Sequence, residues 1–368
     1  MKTVYILGAG FSMDAGVPSQ ERLIENAISL QTTNLPKAEK MKEVAVGFLK
    51  NQLRVNDCEH HTVALEDVFT PLDRCLSENA QFRGLDTRKM HDVREAFIYL
   101  IGKVIEASLG SATHSSEYIE LFAKHLIDRS VKRIDDEVDR VSVISTNWDL
   151  LLDNEVYRKI QLEQERGVVD YCCYISSLEK NDETVKPGLE VLGGGGFNVK
   201  LLKLHGSLNW LQCPRCMRLY TGFGEKFAVG DIVYECRHCD SNFPEALRNH
   251  ALTSNLIVPT YVKDLSNPQY KIIWQNAGIE ISEASKLVFI GYSLPSADFE
   301  MRQLLSRMMR KDVKTHVVNF EGDGDANKRN EFKKPWKAFF GSRDVTFEFD
   351  GAKRYVEDQL VRSSSNWS

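Results

Sequence analysis

A chain of 368 residues can bury a substantial core, as one large domain with insertions or as two domains. Hydrophobic residues make up 42% and charged residues 27%, the proportions of an ordinary soluble globular protein. The formal charge of −5 argues against a dedicated nucleic-acid binder, which would usually carry a basic excess.

The first apolar run, Val4 to Leu7, is too short for a signal peptide. No window approaches the roughly 20 apolar residues of a membrane span. A cytoplasmic location without membrane contact is therefore expected, where thiols stay reduced. The eight cysteines are then ligands or core residues rather than disulfides.

In chain order, the apolar, β-branched runs TVYIL (3–7), RVSVIS (140–145), KLLKL (200–204), LIVP (256–259), KLVFIG (286–291), THVVNF (315–320) and VTFEF (345–349) read as buried parallel strands. Helical patterns alternate with the later ones, at Ala297–Arg310 and Lys334–Phe340. The fold class is α/β, with a Rossmann-like, mostly parallel sheet covered on both faces. Its domain is assigned to residues 1–30 and 140–350. Residues 31–139 hold no convincing strand but show helical periodicity, as in MHDVREAFIYLIGKVIEASL (90–109), and are expected to be a helical insertion. VLGGGGFNVK (191–200) reads as a connector into a strand, and 361–368 as a disordered tail.

Within residues 206–250, Cys213 and Cys216 form CPRC, Cys236 and Cys239 form CRHC, and 19 residues separate the pairs. This spacing puts four thiolates around one tetrahedral zinc, so the segment reads as a small zinc-ribbon module. Cys58, Cys75, Cys172 and Cys173 have no ligand spacing and read as packing residues.

The opening strand runs into GAGFSMDAG (8–16). A dinucleotide dehydrogenase wants G-x-G-x-x-G, but position 13 is Met13 and the next glycine is Gly16. Glycines still permit close backbone approach to a phosphate, and Ser12 adds a hydroxyl donor. Four more strands end in polar motifs: STNWD (145–149), HGSLNW (205–210), GYSLPSAD (291–298) and VVNFEGDG (317–324). Ligands of open α/β sheets bind at the carboxyl ends of strands, so the five motifs are expected to converge on one site. Asn147 and Asp149 also suit the cap of a helix starting near Leu150, and Asp298 reads as a helix cap rather than a ligand contact.

GAGFSMDAGVPS, STNWD, LHGS, the paired CxxC motifs, GYSLP and VVN occur in the same order as the motifs of the sirtuin superfamily, which the chain resembles over residues 3–19 and 140–320. The resemblance implies NAD as substrate and zinc as structural ion. Under it, Gly8, Ala9, Gly10 and Ser12 hold the pyrophosphate, Asn147 orients the ribose and the attacking water, and Asp149 holds the nicotinamide carboxamide. His205 is the base, histidine being the side chain most often used for proton transfer. Gly291 and Ser293 contact phosphate or ribose, and Asn319 contacts the adenosine ribose.

The sequence departs from deacylating sirtuins in three places. Pro18 leads into Ser19, Gln20, Glu21 and Arg22 instead of a Phe-Arg; Ser145, Thr146, Asn147 stand for Thr-Gln-Asn; and LIVPTYVKDLSN (256–267) lacks the Phe-Gly-Glu element that pairs with an acyl-lysine peptide. With the helical insertion, this pattern is similar to the sirtuin-like subunits of bacterial anti-phage defence. The resemblance implies an NAD hydrolase yielding nicotinamide and ADP-ribose, regulated, homo-oligomeric, and working with a separate sensor such as a HerA-type ATPase. An NAD-dependent deacylase remains open. So does a non-catalytic NAD-sensing or nucleic-acid-binding module, using the ribbon and the basic run KRNEFKKPWK (328–337).

Overall fold

The computed structural model describes residues 1–32, 35–109, 116–132, 138–162, 166–192, 194–223, 233–243, 250–320 and 324–361. From residue 362 on, the expected tail lies outside them. The strands are β1 (Lys2–Leu7), β2 (Arg140–Ser145), β3 (Gly167–Asp170), β4 (Ile175–Ser177), β5 (Phe197–Lys203), β6 (Gly206–Gln212), β7 (Leu219–Thr221), β8 (Thr253–Leu256), β9 (Lys286–Ile290), β10 (Lys314–Val318) and β11 (Val345–Glu348).

Seven strands form one sheet in the order β11-β10-β9-β1-β2-β5-β3, parallel at every pairing. The register sets Leu7 beside Ser145 on one side and Ile290 on the other. After β1 the chain builds outward through β2, and only later returns through β9 to the opposite side. The strand order therefore reverses between β1 and β9, and a crevice opens there at their carboxyl ends. Val4, Ile6, Ile144, Val288 and Ile290 are all fully buried. Each such side chain contributes roughly 1.5–3 kcal/mol. Burial on both faces explains why these strands read as unbroken apolar runs.

Between β1 and β2 the chain is helical: α1 (Leu23–Ser29), α2 (Pro36–Phe48), α3 (Leu65–Ser77), α4 (Thr87–Leu109) and α5 (Glu117–Val131). Helices α1 to α4 share a core of their own, built on Leu23, Phe48, Phe69, Met90, Phe97 and Ile101. Helix α5 packs elsewhere: its Tyr118, Phe122 and Leu126 join Val4, Phe11 and Val143 in the core of the sheet. The helical body thus reaches only through α4, and α5 serves as a face-covering helix.

The remaining helices are α6 (Leu151–Leu162), α7 (Leu189–Leu192), α8 (Arg237–Asn242), α9 (Pro268–Glu283), α10 (Phe299–Met308), α11 (Ala326–Phe340) and α12 (Gly351–Tyr355). Helix α9 starts with Asn267 accepting from the Gln269 N–H at 2.8 Å and with Pro268 in the first turn, where a missing N–H costs nothing. Helix α11 is longer than the sequence suggests, because it begins at the Asp325 cap and runs through Pro335. No helix among the described residues is long and apolar enough to cross a membrane.

A second sheet has the order β4-β7-β6-β8. Its strand β4 precedes the cysteine module by some way in the chain, so the module is embedded in a larger sheet. The expected strand at 256–259 is absent: Leu256 closes β8, and Leu256 and Val258 then enter the core of the helical body. That run is apolar because it lies between two bodies.

Candidate functional site

At the reversal point the loops after β1 and β9 pack backbone against backbone. Gly8 N–H donates to Ile290 O at 3.0 Å, and Gly10 N–H to Gly291 O at 2.9 Å. A Cβ on Gly10 would lie 2.8 Å from the Gly291 Cα, and one on Gly291 would collide with the Phe11 nitrogen. Gly291 also has φ of 62°, in the left-handed region that favours glycine. The glycines are therefore explained by loop packing. The Gly8 and Gly10 amides are already occupied by protein carbonyls, which leaves little of the expected backbone cradle for phosphate.

A cleft of about 280 Å³ opens beside these loops. Ala9, Gly10, Asn147, Asp149, His205, Gly291, Ser293 and Asn319 all line it, whereas Gly8 and Ser12 do not. The far wall comes from the helical body, through Leu23, Leu65, Glu66 and Ile105, and from the segment Val17–Glu21. Gln20 Nε2 donates to Glu66 Oε1 at 3.2 Å across this wall.

Ser12 acts from beneath. Fully buried, it donates from Oγ to Asp149 Oδ2 at 2.9 Å and receives Asn147 Nδ2 at 3.4 Å. Asp149 Oδ1 accepts from the Leu151 N–H at 3.2 Å, so it does cap α6 as well as line the cleft. Burial raises the Asp149 pKa, with Lys203 and the Ser12 hydrogen bond acting against it. Lys203, at the end of β5, donates to Asp149 O at 2.7 Å and meets Asp153 Oδ2 at 3.0 Å. Tyr171 closes the support by donating to Asp153 Oδ1 at 2.9 Å. Asn147 Oδ1 is buried at the cleft and has no hydrogen-bond partner among the described residues. A buried acceptor left unpaired is costly, and a ligand hydroxyl would satisfy it.

His205 follows β5, and its Nε2 points to Asp298 Oδ1 at 3.2 Å, outside hydrogen-bond alignment. Asp298 precedes α10 but makes no side-chain capping bond. It holds the N-cap position expected from sequence, its carbonyl accepting from the Arg302 N–H at 3.0 Å, but it also lines the cleft, where its carboxylate faces His205, Lys263 and Tyr292. Lys263 was not singled out in the sequence, because nothing local marks a lysine whose partner lies 35 positions later. Ser293 is exposed at the cleft, while Asn319 is tied by its backbone, its N–H donating to Glu348 O at 2.9 Å.

The four module cysteines meet as expected. Cys213 and Cys239 sulfurs are 3.7 Å apart, as are those of Cys216 and Cys236, and all four lie within 4.8 Å of one another. Four thiolates about 2.3 Å from a tetrahedral zinc would stand about 3.8 Å apart, so the donor set and spacing fit that ion. Tyr220 Oη, 3.3 Å from Cys236 Sγ, supports the cluster from outside. Cys58, Cys75, Cys172 and Cys173 are free thiols outside it.

The fold and cleft define a Rossmann-like α/β protein with a ligand crevice at its strand reversal and a four-cysteine module beside it. No protein-family model matches the chain, and no curated protein sequence matches it. Among solved structures the chain is similar to a Sir2 homologue–NAD complex, at 12% identity and TM-score 0.47, covering 100% of this chain and 90% of that one. It is also similar to a Sir2 homologue–ADP-ribose complex (13%, TM-score 0.41, 100% and 92%). A third is a Sir2–p53 peptide–NAD+ structure (14%, TM-score 0.40, 100% and 94%). These likenesses are distant in both sequence and superposition.

Proposed function

We propose that the protein hydrolyses NAD at the bond between nicotinamide and ribose, releasing nicotinamide and ADP-ribose. The observation that carries this reading is the meeting of Asn147, Asp149 and His205, drawn from two strand ends, in one cleft with Gly10, Gly291, Ser293 and Asn319. A pyridinium leaves as a neutral amide, so no strong general acid is needed at the leaving group. The cleft must instead stabilise an oxocarbenium-like ribose and ready a water. The Asp149 carboxyl, braced by Ser12 and by the Leu151 N–H, is fixed to engage the carboxamide. The unpartnered Asn147 Oδ1 is available to a ribose hydroxyl or the water. His205 takes the proton. Ser293 and Asn319 contact phosphate and ribose from the opposite lip. With most of the loop amides occupied, pyrophosphate recognition falls to side chains and to the Ala9 region.

Water is the favoured acceptor over acyl-lysine. The segment 257–267 forms no strand to which a peptide could add. It is tied down by Trp148 Nε1 donating to Ile257 O at 3.1 Å, by the Tyr261 N–H donating to Thr70 Oγ1 at 3.3 Å, and by Lys263 donating to Ala297 O at 2.7 Å. Leu65, Glu66 and Ile105 wall the same side. The basic run of the nucleic-acid alternative is partly spent on protein contacts, since Lys333 and Arg329 lie over the Phe349 ring at 5.2 Å.

The resemblance to sirtuin-like defence subunits supports a regulated effector role in anti-phage defence, as a homo-oligomer with a separate ATPase or sensor, because unrestrained hydrolysis would drain cellular NAD. The test follows nicotinamide release from NAD by the purified protein. Asn147→Ala and His205→Ala should each abolish it, and unchanged release in both would refute the assignment.

A further inference from the structure

Three chain segments far apart in sequence converge on the Asp298 carboxylate. His205 comes from the end of β5, Lys263 from the segment after β8, and Tyr292 from the loop after β9. Tyr292 Oη donates to Oδ2 at 3.0 Å, Lys263 Nζ stands 3.1 Å from Oδ1, and His205 Nε2 stands 3.2 Å from the same oxygen. Lys263 is almost wholly buried and is itself held by Glu300 Oε2 at 2.6 Å and Ala297 O at 2.7 Å. Burial opposes ionisation of Asp298, but His205 and Lys263 outweigh it and hold the carboxyl well below the usual carboxylate range. Among the described residues, Nε2 of His205 makes no hydrogen bond, the Asp298 contact being out of alignment, and none is formed by Nδ1. The ring also lies against Trp274, at 6.3 Å between centroids.

Resting on the hydrolase reading above, we propose that Asp298 is the positioning residue of His205: its fixed charge 3.2 Å from Nε2 favours the ring proton on that nitrogen, a small ring rotation brings the two into hydrogen-bond alignment, and Nδ1 is left as the base. Lys263 and Tyr292 hold the carboxylate, and through it the ring. In the hydrolytic step Nδ1 takes a proton from water, and the water oxygen bonds to the ribose C1. Nicotinamide departs with the electron pair of the broken C–N bond. The imidazolium so formed faces a fixed carboxylate, the arrangement that makes a histidine an effective base. A carboxylate serving only as a structural partner of Lys263 would have no reason to share Oδ1 with a cleft-lining imidazole.

The test uses the full-length protein with uniformly 15N-labelled histidine, and two readouts. Long-range nitrogen–proton NMR at mildly alkaline pH, with the His205 signals assigned through His205→Gln, reports which nitrogen carries the proton. Nicotinamide release gives kcat and KM. The wild type should show the Nε2–H form. Asp298→Asn should lose that preference and lower kcat by about a hundredfold or more, as loss of a tautomer-fixing carboxylate does elsewhere. KM should stay within about threefold, because Asp298 borders the cleft but asparagine matches its shape and keeps that wall. Asp298→Glu, which keeps the charge, should keep the Nε2–H form and recover part of kcat. An Nδ1–H form in the wild type, or kcat retained in Asp298→Asn, would overturn the assignment; the first needs no variant to fold. If the wild type and His205→Gln alike release no nicotinamide, the hydrolase reading falls, while the tautomer still decides what Asp298 does to the ring.

Discussion

Lys203→Met removes the strut beneath the cleft. The ammonium is 1% exposed and sits between Asp149 O at 2.7 Å and Asp153 Oδ2 at 3.0 Å, with Asp153 only 2% exposed. Methionine nearly matches the volume, so the loss is electrostatic: among the described residues, Asp153 keeps only the Tyr171 hydroxyl, and the Asp149 carbonyl keeps nothing in its place. Breaking a buried pair from one side costs about 3–5 kcal/mol, because the remaining charge is stranded. At roughly 2 °C per kcal/mol for a chain of this size, the melting temperature should fall by about 6–10 °C. Adding Asp153→Leu with Tyr171→Phe removes the stranded charge and its remaining donor and leaves only the Asp149 carbonyl unpaired. The triple variant should therefore regain stability, with a residual cost of about 1–3 kcal/mol. Urea unfolding followed by tryptophan fluorescence gives both values. A cost for Lys203→Met of about 1 kcal/mol or less, the range of exposed pairs, would refute the reasoning.

Three further outcomes follow from the geometry. Gly291→Ala puts a methyl into the Phe11 backbone at a left-handed φ, so it should destabilise by about 1–3 kcal/mol and abolish NAD binding, read by calorimetry and melting. His125, whose pKa burial and Arg129 lower to about 4, is kept neutral in the fold. Its contribution is present above about pH 6.5 and lost as pH falls toward 4, so His125→Gln should flatten the acid side of the stability curve. Removal of zinc with a chelator, or Cys236→Ser, should lower metal content from one ion per chain and loosen β6, β7 and α8 first, as hydrogen exchange would show.

The central strands were readable because both their faces are buried, which turns β1, β2, β9 and β10 into plain apolar runs. The smaller sheet was not: GSLNWLQ mixes polar and apolar residues, since Asn209 is buried and bonded to Gly222 O at 2.6 Å. LIVP misled for the opposite reason, being apolar through contact with the helical body. Cysteine spacing transfers directly into geometry, because a tetrahedral ion dictates it. The glycine loop was legible in place, and the backbone contact between the loops after β1 and β9 adds a packing reason for its glycines that spacing alone does not announce. Asp298 carried a capping signal at the start of α10, yet its partners lie 93 and 35 positions upstream, where no local pattern can announce them.

The most direct test of the account is the fate of oxygen when the purified protein is given NAD in oxygen-18 water, with no acceptor added. The account predicts nicotinamide release and ADP-ribose heavier by one oxygen-18, both lost in Asn147→Ala. Release that requires an acyl-lysine peptide and yields an acylated ADP-ribose would contradict it.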